Sequence, residues 1–329
     1  MGTDPGSDPA GPPSGAASRM RGVRNTAEGI RVVETPGSPT GGVRVTVASS
    51  GICGSDLHMV AFGPSPVTLG HEFCGRLDDG TPVAVLPAVR CGRCPRCRAG
   101  EPQQCTAVLG AMYGTTLDGG LADQVWIDPT CAAPLPPTVG LDVACLVEPL
   151  AVALHGVHRA GVAAGTRVLV IGAGTIGLCA VAAARQLGAS VDAEANRPER
   201  QAAAERLGAH GTLGADYDIV LDAAGTQSSM DRATDLVRPG GTIGVLASFW
   251  QPVAVGMSLL MKEVSLVPAF TYGHHHGASE FDEAVRMLEA DPELPRTVIT
   301  HRYPLDEAAE AFRVASDPVS GAIKVVIEP

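Results

Sequence analysis

Four cysteines fall within fifteen residues: Cys91, Cys94, Cys97 and Cys105, in the run CGRCPRCRAGEPQQC. The spacing C-x2-C-x2-C-x7-C suits tetrahedral thiolate ligation of zinc. Four protein ligands close such a site, so it would brace the fold and offer no position to a substrate. Chemistry would need a second set of ligands, and three other stretches can supply it. SSGICGSDLHM holds Cys53, Ser55, Asp56 and His58; TLGHEFCG holds His71 and Glu72; CLVEPLAVALHG holds Glu148. A catalytic zinc takes three protein ligands and keeps a fourth place open, which a cysteine, a histidine and a carboxylate would allow. Taken singly, each residue has a plainer account. A lone cysteine is usually a small core residue, and Glu148 ahead of Pro149 can be a helix-start charge.

A nucleotide-binding loop lies farther along. In TRVLVIGAGTIGL, Gly172, Gly174 and Gly177 form G-x-G-x-x-G after an expected strand, at the head of an expected helix opening on Thr175 and Ile176. That context separates a dinucleotide site from an ordinary glycine-rich turn. The glycines permit a tight turn and close approach to a pyrophosphate, and the helix N-terminus offers free N–H groups to the anion. NAD sites usually carry an Asp or Glu at the end of the second strand. In ASVDAEANRPER that position falls on Ala195, followed by Asn196, Arg197 and then Arg200. A small residue with guanidinium groups beyond it suits a 2′-phosphate and favours NADP over NAD. Glu194, one residue earlier, is the opposing case, and both arginines can also be solvated helix-start charges. Asp192 and Glu194 share one face of a strand expected to be covered on both faces, where carboxylates are costly.

These residues need a scaffold. Residues 1–19 are rich in Pro, Gly, Ser and Ala and read as a disordered tail. From about residue 30 to 145 (GIRVVETP, GGVRVTVASSGIC, TPVAVLP, LADQVWID), short runs broken by Gly and Pro read as strands. Near Cys145 the texture becomes helical, and strands and helices then alternate in βαβ fashion. A chain of 329 residues with 45% hydrophobic content can form two domains. A net charge of −11 without a basic stripe disfavours nucleic acid or an anionic membrane as partner. The charge-free run Val168–Ala184 is short for a membrane span. Nine cysteines, an odd number, in a long chain with no secretory opening point away from disulfides and towards a reducing cytoplasm.

In order and combination, GICGSDLH, GHE, the four-cysteine lobe, EPLAVALHG, VLVIGAGTIG and ITHRYPLDEAAEAF resemble the zinc-dependent medium-chain dehydrogenases, most of all the polyol and threonine dehydrogenase branch. The resemblance implies an α/β fold: a GroES-like β-barrel catalytic domain made from both chain ends, and a Rossmann domain with a doubly wound parallel sheet. The expected boundaries are 20–150 for the first part of the catalytic domain, with the zinc lobe at 91–105. The cofactor domain spans 151–287 and the return segment 288–329. The family pattern places Cys53 and His71 on catalytic zinc with Glu148 or Glu72 as the carboxylate, Glu148 being the expected direct ligand. It makes Asp56 the partner that orients the zinc-site histidine, and Ser55 and His58 a proton relay. It implies hydride transfer between an alcohol or polyol, or the matching ketone or aldehyde, and NAD(P). A homodimer or homotetramer is expected through the strand pair GGTIGVLA and EVSLVPAF. Leu57, Phe62, Tyr113 and Trp250 fall at the substrate pocket by chain position.

Two stretches depart from that pattern. The segment from His71 to Cys91 is short, so a hairpin of the β domain is expected to be trimmed. Between the third and fourth Rossmann strands only Gly214–Asp218 would remain. Those strands sit three spacings apart, roughly 14 Å. Five extended residues span at most about 17 Å, with no slack to cross a sheet face. A shortened or absent third strand is therefore expected. His274, His275 and His276 read as a polar loop, with approach to the cleft or adventitious metal binding as alternatives. Two other functions remain open: a zinc-free quinone or enone reductase of the same fold, and a non-catalytic NAD(P)-binding protein.

Overall fold

The β-rich first part folds as its Gly- and Pro-punctuated runs require. In the computed structural model, which describes residues 20–35, 42–211 and 213–329, strand Val43–Ile52 pairs antiparallel with Glu72–Leu77 and with Gln124–Ile127. Glu72–Leu77 turns tightly into Pro82–Val85, which pairs with Ala132–Pro134. The far end of the chain joins the same sheet: Lys324–Glu328 pairs with Val43–Ile52, and Ile299–Pro304 with Lys324–Glu328. A separate hairpin, Met20–Thr26 with Gly29–Thr35, flanks this GroES-like half. The tail expected over residues 1–19 lies outside the described residues.

The second half is a Rossmann-type sheet of five parallel strands. Their order is Ser265–Pro268, Val237–Val245, Tyr217–Asp222, Arg167–Ile171 and Ser190–Glu194. Helices Thr175–Gln186, Pro198–Arg206 and Gln227–Leu236 connect its strands. The sheet stops where the third strand would follow Ser190–Glu194. Among the described residues, all that remains of it is an isolated bridge between Asp192 and His210. The deletion also explains the two carboxylates on the Ser190–Glu194 strand. With no further strand beside it, their face lies at the sheet edge, half open to water. There Tyr217 donates its hydroxyl hydrogen to Asp192 at 2.5 Å, and Arg232 Nε lies 2.9 and 3.1 Å from the two oxygens of Glu194. Each charge has found a partner, which removes the burial cost.

Helix Val147–Ala160 lies at the centre of the largest hydrophobic cluster, with eleven of its fourteen residues buried. It ends on Gly161 in the left-handed conformation (φ 82°) that glycine adopts freely. Glu148 lies at its first turn, and His155 and His158 near its end. Among the described residues, no helix is long and apolar enough to cross a membrane.

Candidate functional site

Strand register brings the candidate ligands together. Gly51 pairs with Glu72 and Ile52 with Val325, so the ends of three neighbouring strands converge on Cys53, Glu72 and Lys324. Gly51 is required there, because a Cβ on it would lie 2.2 Å from Glu72 Oε2. Cys53 caps helix Gly54–Ala61, and His71 follows Gly70 at the head of its strand. One ligand atom each from Cys53, His71 and Glu72 lies within 4.8 Å of the others. This is the donor set of a zinc site with a place left open.

Asp56 lies against two of these three. It is fully buried; Oδ2 accepts the Cys53 N–H at 2.9 Å, and Oδ1 lies 3.4 Å from His71 Nδ1. An imidazole whose Nδ1 faces a carboxylate presents Nε2 as the metal-binding nitrogen. His71 Nε2 is 3.2 Å from the Ser55 hydroxyl. Burial by itself would lower the His71 pKa, but the charges of Asp56 and Cys53 outweigh it and raise the value well above normal.

The two glutamates stand differently. Glu72 accepts from Lys324 Nζ at 2.5 Å, an ion pair with both side chains almost wholly enclosed, and the same ammonium donates to the Ile52 carbonyl at 2.9 Å. Glu148, the direct ligand expected from the sequence, is buried beside this set but is not one of the three grouped ligands. Its carboxyl is pushed up to about 8, first by burial and then by the Glu72 charge, with His71 and Lys324 opposing. A cation would favour its charged form.

Ser55 and His58 are one turn apart on helix Gly54–Ala61. Ser55 faces the ligand group, and His58 stands on the outside, stacked on the indole of Trp250. Phe62 is 6.0 Å from the same indole. Tyr113, expected at the pocket, is instead buried in the core of the first sheet, where its hydroxyl accepts the Asp128 N–H.

Cys91, Cys94, Cys97 and Cys105 bring their sulfurs within 4.8 Å of one another. Backbone N–H groups of Cys91, Cys94, Cys97 and Ala107 point at sulfurs of the set from 3.4–3.5 Å. Such donors favour thiolates, and the hydrogen bonds from Cys97 and Thr106 bring the Cys94 thiol down to about 6. This group is closed on itself and fits a structural zinc. The lobe is tied to the cofactor half by Arg90, which donates to the Tyr272 carbonyl at 2.9 Å.

The glycine loop has the shape a pyrophosphate needs. Gly172 has φ 97°, and a Cβ on Gly177 would lie 1.7 Å from the Gly172 carbonyl oxygen, so neither position accepts a side chain. Gly174 precedes helix Thr175–Gln186, whose first residues are Thr175 and Ile176; the Thr175 hydroxyl donates to the Ile323 carbonyl. Asn196 is exposed. Arg197 donates to the Pro318 carbonyl, and Arg200 donates to that of Ala322 at 3.1 Å. Glu194 is engaged by Arg232, as above.

Sequence reasoning did not single out Lys324, Arg232 or Glu280. A lone lysine inside the apolar run AIKVVIEP was the available signal for the first. His275 of the histidine run stacks on His158 at 3.8 Å, beside Glu280.

Known protein families match both halves of the chain. The alcohol dehydrogenase GroES-like domain family matches residues 39–137, and the glucose dehydrogenase C-terminus family matches residues 141–328. L-galactonate-5-dehydrogenase of Escherichia coli (strain K12) is 32% identical over 302 residues, 82% of this chain and 86% of the relative. Galactitol 1-phosphate 5-dehydrogenase of the same strain is 28% identical, covering 93% of this chain and 100% of the relative. Among solved structures, a protein assigned as a zinc-binding dehydrogenase from Sinorhizobium meliloti 1021, bound to NADP, has a TM-score of 0.82 at 30% identity. That match covers 95% of this chain and 100% of the other. Galactitol-1-phosphate dehydrogenase from Escherichia coli has a TM-score of 0.83 at 29% identity, over 94% and 100%.

Proposed function

The chain belongs to the zinc-dependent medium-chain dehydrogenase family and is an NAD(P)-dependent oxidoreductase, and from that premise we propose that it oxidises a secondary alcohol of a polyol or sugar acid, or reduces the matching ketone. The observation that carries this reading is the open ligand group Cys53–His71–Glu72, separate from the closed four-cysteine group. A zinc-free reductase of this fold or a non-catalytic protein has no use for that group. The relatives' names give the substrate class: L-galactonate, galactitol 1-phosphate and L-arabinitol.

The residues divide the work. Cys53, His71 and a carboxylate would hold the catalytic metal. Glu72 lies within the ligand group, and Glu148 is the buried acid a cation would relieve. A zinc held there would supply Lewis-acid polarisation of the alcohol oxygen, and a nicotinamide cofactor would be the hydride acceptor. Asp56 fixes the Cys53 backbone and the His71 ring, which preserves ligand geometry when substrate exchanges. The Ser55 hydroxyl accepts the alcohol proton as it gives up its own towards His58, and His58, at the surface one turn along, passes a proton to water. Gly172, Gly174 and Gly177 seat the pyrophosphate. Ala195, which has no acid to offer, with Arg197 and Arg200 beside it, favours NADP over NAD.

A second copy of the chain suits the edge strand Ser265–Pro268, on which Leu266 is exposed, with Met257, Leu260 and Met261 exposed on the helix before it and Phe270 just beyond it. Light scattering that finds only monomer would remove this part of the proposal. Nine free cysteines fit a cytoplasmic enzyme. The activity test is a panel of polyols, sugar acids and simple alcohols with NADP⁺ and NAD⁺, read by absorbance of the reduced nicotinamide. Turnover of a polyol that is lost in Cys53→Ala supports the reading. No turnover of any alcohol or ketone by the zinc-loaded protein refutes it.

A further inference from the structure

His58 and Phe62 are four residues apart, on one face of helix Gly54–Ala61 and its cap, and the indole of Trp250 lies across both. The imidazole and indole planes are 18° apart with centroids 4.2 Å apart, a face-to-face stack. Trp250 comes from the other half of the molecule, just beyond strand Val237–Val245. The contact therefore joins the helix that carries Ser55 and His58 to the cofactor half. Phe62 stays 77% exposed and Trp250 37%, so of the two rings on the helix it is the imidazole, in face-to-face contact, that meets the indole most closely.

Both sides of the stack are anchored. Under the helix, buried Asp56 ties the N-terminus to Cys53, and buried Asn25 donates to the Val60 and Gly63 carbonyls at 3.0 and 2.7 Å. On the other side, Leu246 and Ala247 donate their N–H groups to the Asp222 carbonyl, and Leu246 sits against Gly156 of the central helix. The two rings thus meet at the ends of elements held in place.

We propose that Trp250 is a positioning residue for His58: from the cofactor domain it holds the imidazole at the solvent end of the proton path, so the path is assembled only when the two domains are together. The proposal rests on the relay reading of Ser55 and His58. It makes Trp250 act on proton delivery through His58 and not by gripping the substrate.

The test uses the zinc-loaded enzyme. Trp126→Phe leaves Trp250 as the single tryptophan, since the chain has two. Its emission should be quenched by acid, and His58→Gln should abolish that quenching. Trp250→Leu should lower kcat about tenfold while KM moves less than about twofold, and Trp250→Phe should restore most of the loss. In the His58→Gln background, Trp250→Leu should cost no further kcat, because both changes remove one function. Emission indifferent to His58, a loss confined to KM, or additive losses in the double variant would each overturn the proposal. A His58→Gln enzyme with full kcat would remove the relay reading itself, and the emission experiment would still report whether the rings stack.

Discussion

Replacing Glu280 with Gln removes a buried carboxylate that accepts three hydrogen bonds outside the ligand groups. Glu280 is 1% exposed and receives His155 Nδ1 at 2.7 Å, His158 Nδ1 at 2.9 Å and the Gly273 N–H at 2.7 Å. Burial alone would raise its pKa; the two histidines and Gly273 more than reverse that and hold it at about 2, against 4.5 ordinarily. A fall of that size is worth about 3 kcal/mol at 1.36 kcal/mol per pH unit, and screening at the edge of the cluster, where half-buried His275 stacks on His158, brings it to about 2. The sign follows from linkage. A carboxylate with a depressed folded value contributes its stability above the unfolded value of 4.5, and loses it as pH falls towards 2. Urea unfolding of Glu280→Gln beside the wild type should show a deficit of about 2 kcal/mol at pH 7, shrinking below about 1 near pH 3. A deficit that is the same at both pH values would refute the argument, since the loss would then come from packing and not from charge.

Lys324→Met should destabilise the zinc-free protein by about 3–5 kcal/mol, because it leaves Glu72 as a buried unpaired carboxylate; adding Glu72→Gln should recover most of that in a denaturant titration. Asp56→Asn should weaken the catalytic zinc about 10–100-fold in a chelator competition while the four-cysteine zinc is retained. Arg197→Ala and Arg200→Ala should each lower kcat/KM with NADP⁺ by about tenfold and leave NAD⁺ nearly unaffected; equal losses with both cofactors would make them scaffold residues, tied only to the Pro318 and Ala322 carbonyls.

Much of this was legible from residue type and spacing. Cysteines three apart in a short loop have few other uses, and the glycine pattern between an apolar strand and an Ala-rich helix has one main use. The loss of the third Rossmann strand followed from the expected strand order and the shortness of the chain, because Gly214–Asp218 has no slack to pass over a sheet face. The pairs that settle individual charges were not legible. Glu194 and Arg232 are far apart in sequence, and their contact depends on a face left open by that same deletion. Lys324 reaches Glu72 only through the register Ile52–Val325 and Gly51–Glu72, which depends on the return of the C-terminal strand to the first sheet. The run of three histidines gave no hint of Glu280, because that cluster forms by the approach of two helices and a two-stranded hairpin.

The most direct test of the account is elemental analysis of zinc per chain in the wild type, Cys53→Ala and Cys97→Ala. The account predicts about two in the wild type, and about one in Cys53→Ala with loss of activity, since one closed and one open site are separate sets of ligands. Cys97→Ala should lose the other zinc and with it stability. About one zinc in both the wild type and Cys53→Ala would mean that only the cysteine lobe binds metal, and would contradict a catalytic role for the Cys53–His71–Glu72 group.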